Sequence, residues 1–196
     1  MSAVNELELL LRGEKVGLGP LRRDLVPLYA RWVNDVEVKR GTGGAGIQTV
    51  EAETAWYERA SESGGGREPT AAHFTVHELA NGQPVGTTGL FSMSARHAHA
   101  TFGILIGEGR GQGFGTEATR LTLDWGFHVL GLRNVMLTVL EWNAAGIRCY
   151  EKAGFKRIGV RRNAIVDWGE RCDEVLMDAI PEEFESPVLR ADREAT

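Results

Sequence analysis

The residues with the most chemical potential form one short run, GRGQGFGTEATR at positions 109–120. Glycines at 109, 111, 113 and 115 alternate with other residues, and a helix pattern begins at once at Thr116. Glycine permits backbone conformations that turn consecutive N–H groups toward one point, and a helix N-terminus adds the positive end of its dipole. That combination is an anion cradle in which a pyrophosphate can approach the main chain. Arg110 stands at its mouth as a charge partner. A nucleotide P-loop does not fit, because no Lys precedes Thr116. A dinucleotide fold does not fit either: it places its glycines beside the first strand, with an acid about 20 residues on, whereas these follow several hairpin-like strands. A glycine-rich connection without a ligand is the plain alternative.

Positioning such a loop requires a strand before it and a helix after it, and the periodicity supplies both. Residues 100–106 (ATFGILI) read as a strand. Residues 116–130 read as a helix, with Ala118, Leu121, Trp125 and Val129 on one stripe and Leu123, Phe127 and Leu130 on a second. Arg120, Asp124 and His128 form its polar stripe. Residues 133–140 are apolar on both faces, as in a central strand, and residues 144–153 form a short helix capped by Asn143. Upstream, residues 11–21 read as a strand and 24–34 as a helix with Asp24 as N-cap. Polar residues follow, then a loop at 41–46, a helix over 49–61 with Ala52, Ala55, Trp56 and Ala60 on one side, and a loop at 61–69. Strands at 73–79 and 85–91 join through Asn81-Gly82, and 92–99 is a turn. Residues 156–180 read as two strands around Asp167-Trp168-Gly169, and the chain frays after about Phe184. The order is β-α-α-β-β-β-α-β-α-β-β: an α+β fold with a mixed, mostly antiparallel sheet flanked by helices. It predicts one domain over 11–184, with an N-terminal extension at 1–10 and a C-terminal tail at 185–196.

Composition narrows the classes. The chain has 196 residues, 42% hydrophobic and 25% charged, and a formal net charge of −5, which disfavours nucleic-acid binding. Two cysteines, Cys149 and Cys172, make neither a disulfide framework nor a metal spacing. No stretch approaches the roughly 20 apolar residues of a membrane span, and the acidic N-terminus is unlike a signal peptide. A cytoplasmic protein with no metal and no membrane partner is expected.

Residues 110–115 (RGQGFG) match the R/Q-x-x-G-x-G/A motif of the GNAT superfamily of N-acyltransferases, and the chain resembles its RimJ/RimL-type branch over about 11–184. LRGEKVGLGPL resembles that branch's opening strand, residues 115–159 its central signature, and DEVLMDAIPEEF its closing strand. The branch includes ribosomal-protein N-terminal, spermidine and antibiotic-modifying acetyltransferases. The resemblance implies acetyl-CoA as acyl donor and direct transfer to an amine, the protein supplying position and electrostatics. It implies that the backbone near Ile104 and Ile106 pairs with pantetheine, an N–H near Ile106 also facing the thioester oxygen. The N–H groups of Gly111, Gln112, Gly113, Phe114, Gly115 and Thr116 would hold the pyrophosphate beside Arg110. Asn143 is an N-cap on local grounds and a pantetheine contact by resemblance.

Tyr150 is the catalytic candidate, on the resemblance: at this place in N-x-x-x-I-x-x-Y-E-K-x-G-F a Tyr lies beside the CoA sulfur, where a phenol can donate a proton to the leaving thiolate. On periodicity alone it is core. Relatives often carry a Glu base where this chain has Thr101, and the loop before the glycines is shorter than usual; Glu141 at the end of the central strand is a base candidate or an exposed strand-end acid, with His97, His99, Asp35 and a water chain as further alternatives. Arg148 and Lys152, at i and i+4, are expected to meet CoA phosphates or to form a solvated face. Trp32, Asn34, Asp35, Glu37, His97 and His99 are candidates for acceptor recognition. The expected acceptor is a small-molecule amine (polyamine, aminoglycoside or other antibiotic-type amine), with a peptide N-terminus as the alternative and a non-catalytic acyl-CoA-binding module as a third. A homodimer is expected from the resemblance.

Overall fold

The computed structural model describes residues 7–167 and 169–189; Trp168, residues 1–6 and the end of the tail lie outside the described residues. Eight strands form one sheet, in the order β1-β2-β3-β4-β5-β6-β8-β7. The strands are β1 (Leu11–Arg12), β2 (Val16–Pro20), β3 (Ala72–Glu78), β4 (Pro84–Ser94), β5 (His99–Ile106), β6 (Asn134–Leu140), β7 (Lys156–Asp167) and β8 (Glu170–Ala179). The helices are α1 (Val26–Asn34), α2 (Val36–Thr42), α3 (Val50–Gly64), α4 (Phe114–His128) and α5 (Ala144–Ala153). The α+β class and the mixed, mostly antiparallel sheet agree with the sequence reading. The single parallel contact among the described residues is β5 on β6, and it lasts three pairs: His99–Asn134, Ala100–Val135 and Thr101–Met136. Beyond it the strands part, so residues 102–106 pair only with β4.

Helix α4 crosses one face of the sheet. Ala118 and Leu121 enter a cluster with Leu18, Phe74 and Val76, whereas Leu123 and Phe127 enter another with Leu90, Phe102 and Val135. Ile104 packs against both clusters, so the strand before the glycine loop is anchored where the two halves of the core meet. Helices α1 and α3 cover the opposite face, where Tyr29 and Trp32 pack with Trp56, Tyr57 and Leu105. No helix among the described residues is long and apolar enough to cross a membrane.

The structure corrects several local expectations. Residues 11–21 are a hairpin of two strands. Asp24 does not cap α1; it lies in a 3-10 turn and pairs with Arg22, while α1 starts at Val26 with Pro27 in its first turn. The polar stretch after Asn34 is a helix, α2, whose N-cap Asp35 accepts the N–H groups of Glu37 and Val38 and whose C-cap is the left-handed Gly43. In α3 the buried positions are Glu53 and Ala60, with Trp56 and Tyr57 half-buried; Ala52 is exposed.

Asp124 does not belong to a solvated stripe. Its side chain is 0% exposed, and it accepts hydrogen bonds from Ser186 Oγ (2.6 Å) and the N–H groups of Val188 and Leu189 (3.0 Å each). His128 Nδ1 lies 2.9 Å from the same carboxylate. The start of the tail is therefore docked on α4, with Val188 and Leu189 against the core, where fraying was expected. Removing the carboxylate strands buried donors. Asp124→Ala is expected to lower stability by about 2–3 kcal/mol, measured by urea unfolding. Deleting residues 185–196 should cost a similar amount, and the two changes together should be less than additive.

Candidate active site

The parting of β5 from β6 opens a cleft of about 740 Å³. Its walls are the free edge of β5 at Ile104–Ile106, the glycine loop with the first turn of α4, helix α5, and helix α2 laid across the top. Two side chains fasten α2 there. Trp142 Nε1 donates to the Arg40 carbonyl (3.3 Å) and Asn143 Nδ2 to the Gly41 carbonyl (3.1 Å), while Asn143 Oδ1 accepts the Gly146 N–H (2.8 Å) and caps α5. Asn143 thus joins two walls of the cleft.

The loop has the backbone that an anion cradle needs. Gly109, Gly111 and Gly113 have φ of 65°, 84° and 90°, in the left-handed region that favours glycine. Gly113 is the N-cap of α4 and provides no side-chain cap, which leaves the first N–H groups of the helix without an internal acceptor. Around Gly111 there is open space, with nothing within 4 Å of where a Cβ would lie. Behind the loop, Glu117 accepts the N–H groups of Lys15 (2.9 Å) and Val16 (3.1 Å), and Lys15 Nζ donates to the Gln112 carbonyl (3.2 Å). The β1–β2 turn thereby braces the loop. These features fit a bound diphosphate: directed amides, no competing cap, and cations opposite. Arg148 and Lys152 line the far wall from α5, and neither is in a salt bridge among the described residues.

Arg110, expected as a charge partner at the mouth of the cradle, lines the cleft with its guanidinium already engaged. Its Nε donates to the Ile106 carbonyl (3.0 Å), and its Nη2 donates to the Asp35 carboxylate (3.0 Å). The side chain lines the cleft but acts as a latch between the loop and the N-cap of α2. Hydrogen bonds from the Val38 N–H and from the Arg110 guanidinium hold the Asp35 carboxyl below its ordinary range.

Tyr150 lines the cleft from α5, its ring edge-on to Phe102 (6.0 Å between centroids, 81°) and near Phe155. Burial, and then the neighbouring Cys149, push its phenol above the ordinary range, so it is protonated at neutral pH. Burial likewise raises the Cys149 thiol, which accepts a hydrogen bond from Thr116 Oγ1 (3.5 Å). The raised pKa keeps Cys149 in its thiol form at neutral pH.

Of the remaining sequence candidates, Ile104, Ile106, Gly111, Gly113, Gly115, Thr116 and Glu37 line the cleft. Gln112 and Phe114 are not among its lining residues: both border a neighbouring hollow, and the Phe114 side chain is buried in the core, whereas the expectation for these two concerns their main-chain N–H groups. Glu141 is not among the lining residues; its carboxylate accepts the Asp173 N–H (2.9 Å) and ties β6 to β8. Trp32 is 2% exposed, lies against Gly107 and donates from Nε1 to Glu108 (3.1 Å). Asn34 closes the loop after α2 through two bonds with Gln48. Asp35 is the cap just described. His97 and His99 stack on each other at the β4–β5 turn, away from the cleft.

A second cavity, of about 460 Å³, lies on the opposite face of the sheet, under α3. Trp56, His73 and Phe91 line it, and Ile104 and Leu105 line both spaces. The sequence reading missed these three rings and the role of α2. The helix was legible in the Asp35 cap, the acid at 37, the cations at 39 and 40 and the closing Gly43; the rings, far apart in the chain, carried no local signal.

Residues 15–156 match the acetyltransferase (GNAT) domain family. The chain belongs to this family. Among relatives, it is 26% identical over 188 residues to an N-acetyltransferase 9-like protein of Caenorhabditis briggsae, covering 88% of this chain and 86% of that one. It is 32% identical over 95 residues to the probable N-acetyltransferase YjcK of Bacillus subtilis, covering 47% of this chain and 52% of that protein, about half its length. The fold matches spermidine N-acetyltransferase from Vibrio cholerae in complex with CoA and spermine (TM-score 0.78, 20% identity, 86% of this chain and 97% of that one). It also matches Mycobacterium smegmatis RimJ in complex with CoA-disulfide (TM-score 0.76, 19% identity, 92% and 89%). GNAT enzymes use acetyl-CoA, and the amide cradle and the cations opposite it suit that donor's phosphates. Gly113→Ala is expected to weaken acetyl-CoA binding by about tenfold or more, because a Cβ at that φ costs roughly 1–2 kcal/mol in the cradle itself. Gly131→Ala, equally left-handed but remote from the cleft, should leave binding unchanged. Calorimetry on both variants checks this.

Proposed function

We propose that the protein is an acetyl-CoA-dependent N-acetyltransferase acting on the primary amine of a small molecule. One observation carries this reading. The cleft built around backbone amides and cations meets, across the single strand β5, a separate cavity of about 460 Å³, within the usual range for small-molecule sites. Donor and acceptor would approach the same strand from opposite faces, so transfer needs no intermediate on the enzyme.

Acetyl-CoA supplies its acetyl group as a thioester and departs as the free thiol. The amine nitrogen forms the new C–N bond as the C–S bond breaks, and the proton that the amine loses balances the departing thiolate. The chain's part is to place and to polarise. The unpaired edge of β5 presents main-chain N–H groups beside Ile104 and Ile106, where oxygen charge develops. Tyr150 is the donor toward sulfur. Its raised pKa favours a held hydrogen bond over early proton loss, which stabilises the thiolate as it forms. Among the described residues Glu37 is the one carboxylate that lines the cleft, and it pairs with Arg40 (3.5 Å); Thr101 is within the short β5–β6 pairing, and Glu141 is engaged by β8. We assign deprotonation to water or to the fraction of the acceptor that is already neutral.

The likeness to the alpha/beta-tubulin-N-acetyltransferase 9 of Mus musculus, 28% identical over 169 residues, favours a second reading, transfer to a polypeptide acceptor such as a peptide N-terminus, whose α-amine titrates near pH 8 and needs less deprotonation. Free CoA release over a panel of amines and short peptides separates the two. Turnover with amines alone supports the first, turnover with peptides the second, and acetyl-CoA binding without turnover on either makes the protein a binding module. Tyr150→Phe is expected to lower kcat by about 10²-fold, with acetyl-CoA affinity unchanged within about twofold. An unaltered kcat removes Tyr150 from the mechanism.

A further inference from the structure

The second cavity has a construction of its own. Strands β3, β4 and β5 bring His73, Gly89 and Gly103 into one transverse row: His73 pairs with Gly89, and Gly89 with Gly103. The two glycines are what let rings lie on this face. A Cβ at Gly89 would fall 2.7 Å from His73 Nδ1, and one at Gly103 would fall 2.9 Å from Phe91 Cε1. The His73 and Phe91 rings are nearly parallel (4°, centroids 6.5 Å apart), and Trp56 from α3 meets His73 edge-on (5.6 Å, 75°). Phe91 is 37% exposed, so this aromatic surface is reachable from solvent.

We propose that this cavity is the acceptor pocket and that it selects a primary amine carried on a flat apolar body, such as an arylalkylamine, over a polyamine. The inference rests on reading the neighbouring cleft as the donor site, since Ile104 and Leu105 are the wall common to both. Charge decides the substrate class. A polyamine carries several ammonium groups, each of which needs a carboxylate or a ring of acceptors once desolvated. No carboxylate lines the cavity among the described residues, and His73 is its one titratable side chain. Burial lowers the His73 pKa, so the ring is neutral at neutral pH and offers a lone pair to an N–H. A single amine on an apolar body needs no more than that, and ring faces favour its charged form at the mouth. Desolvation inside then lowers the amine's own pKa, which raises the fraction able to attack.

The test uses 2-phenylethylamine and spermidine as probes, with wild type, Phe91→Ala and Trp56→Ala. Retained acetyl-CoA binding reports that each variant is folded. On CoA-saturated wild type, calorimetry should show 2-phenylethylamine binding at least about tenfold more tightly than spermidine, and either substitution should weaken it about tenfold. In turnover, KM for 2-phenylethylamine should rise in both variants while KM for acetyl-CoA stays fixed. Tighter binding of spermidine, no binding of 2-phenylethylamine, or binding that ignores both substitutions overturns the proposal. Loss of acetyl-CoA binding by wild type overturns the donor-site reading instead, and is read independently of either amine.

Discussion

The site depends on an interrupted pairing. A parallel strand pair ordinarily continues until one strand ends, because each unpaired amide in a protein interior is costly. Here β5 and β6 stop pairing after three residues although both run on. The interruption leaves one edge of residues 102–106 without a strand partner in the middle of an eight-stranded sheet. That edge is tolerable only because the cleft it creates gives those amides access to solvent or to a ligand. The cradle, α5 and the roof helix α2 are all placed relative to this opening.

Several parts of this arrangement were legible in the chain. The two apolar stripes of α4 reported that it packs against two clusters, and alternating glycines before it reported a backbone-lined loop. The doubly apolar residues of β6 reported a strand with neighbours on both sides. Asn143 announced the start of α5. What escaped the sequence reading shares one property: it depends on contacts between residues far apart in the chain. Asp124 lies at helical spacing between Arg120 and His128 and reads as surface. It is buried because residues 186–189, more than sixty positions later, bring it a hydroxyl and two amides. Trp32, Asn34 and Asp35 read as recognition groups because their types suit a cation, yet each already has a neighbour to satisfy within the scaffold.

Arg110 shows how one side chain can serve position rather than charge. Had it pointed freely into the cleft it would have added a cation to a site that already has Arg148, Lys152 and the α4 N-terminus. Bound instead to the Ile106 carbonyl and to Asp35, it links the end of β5, the glycine loop and the N-cap of α2. Both partners of the ion pair are substantially exposed, so its Coulombic contribution is small. Its value is geometric: it fixes the distance between the roof and the floor of the cleft. The protein's net charge of −5 is no obstacle to holding an anion, because the cleft field is set locally by amides and by Arg148 and Lys152, which form no salt bridge among the described residues.

The two faces of β5 place their demands on alternate residues. Ile104 faces the α4 core, while Gly103 and Leu105 face the helices on the other side. Because successive side chains in a strand point to opposite faces, a change at 103 reshapes the aromatic cavity without disturbing the packing beneath the amide cradle, whereas Leu105 lines both spaces. The main chain between them is common to both, and it is where an acyl group and an amine would meet. A fold organised in this way can keep its donor site constant while the acceptor face diverges through a few positions on β3, β4 and α3. Likeness in overall shape to spermidine acetyltransferases therefore speaks for the fold and not for the acceptor: the shape follows from the interrupted sheet, whereas the substrate class proposed above rests on the rings laid on Gly89 and Gly103 and on a lining that holds no carboxylate among the described residues.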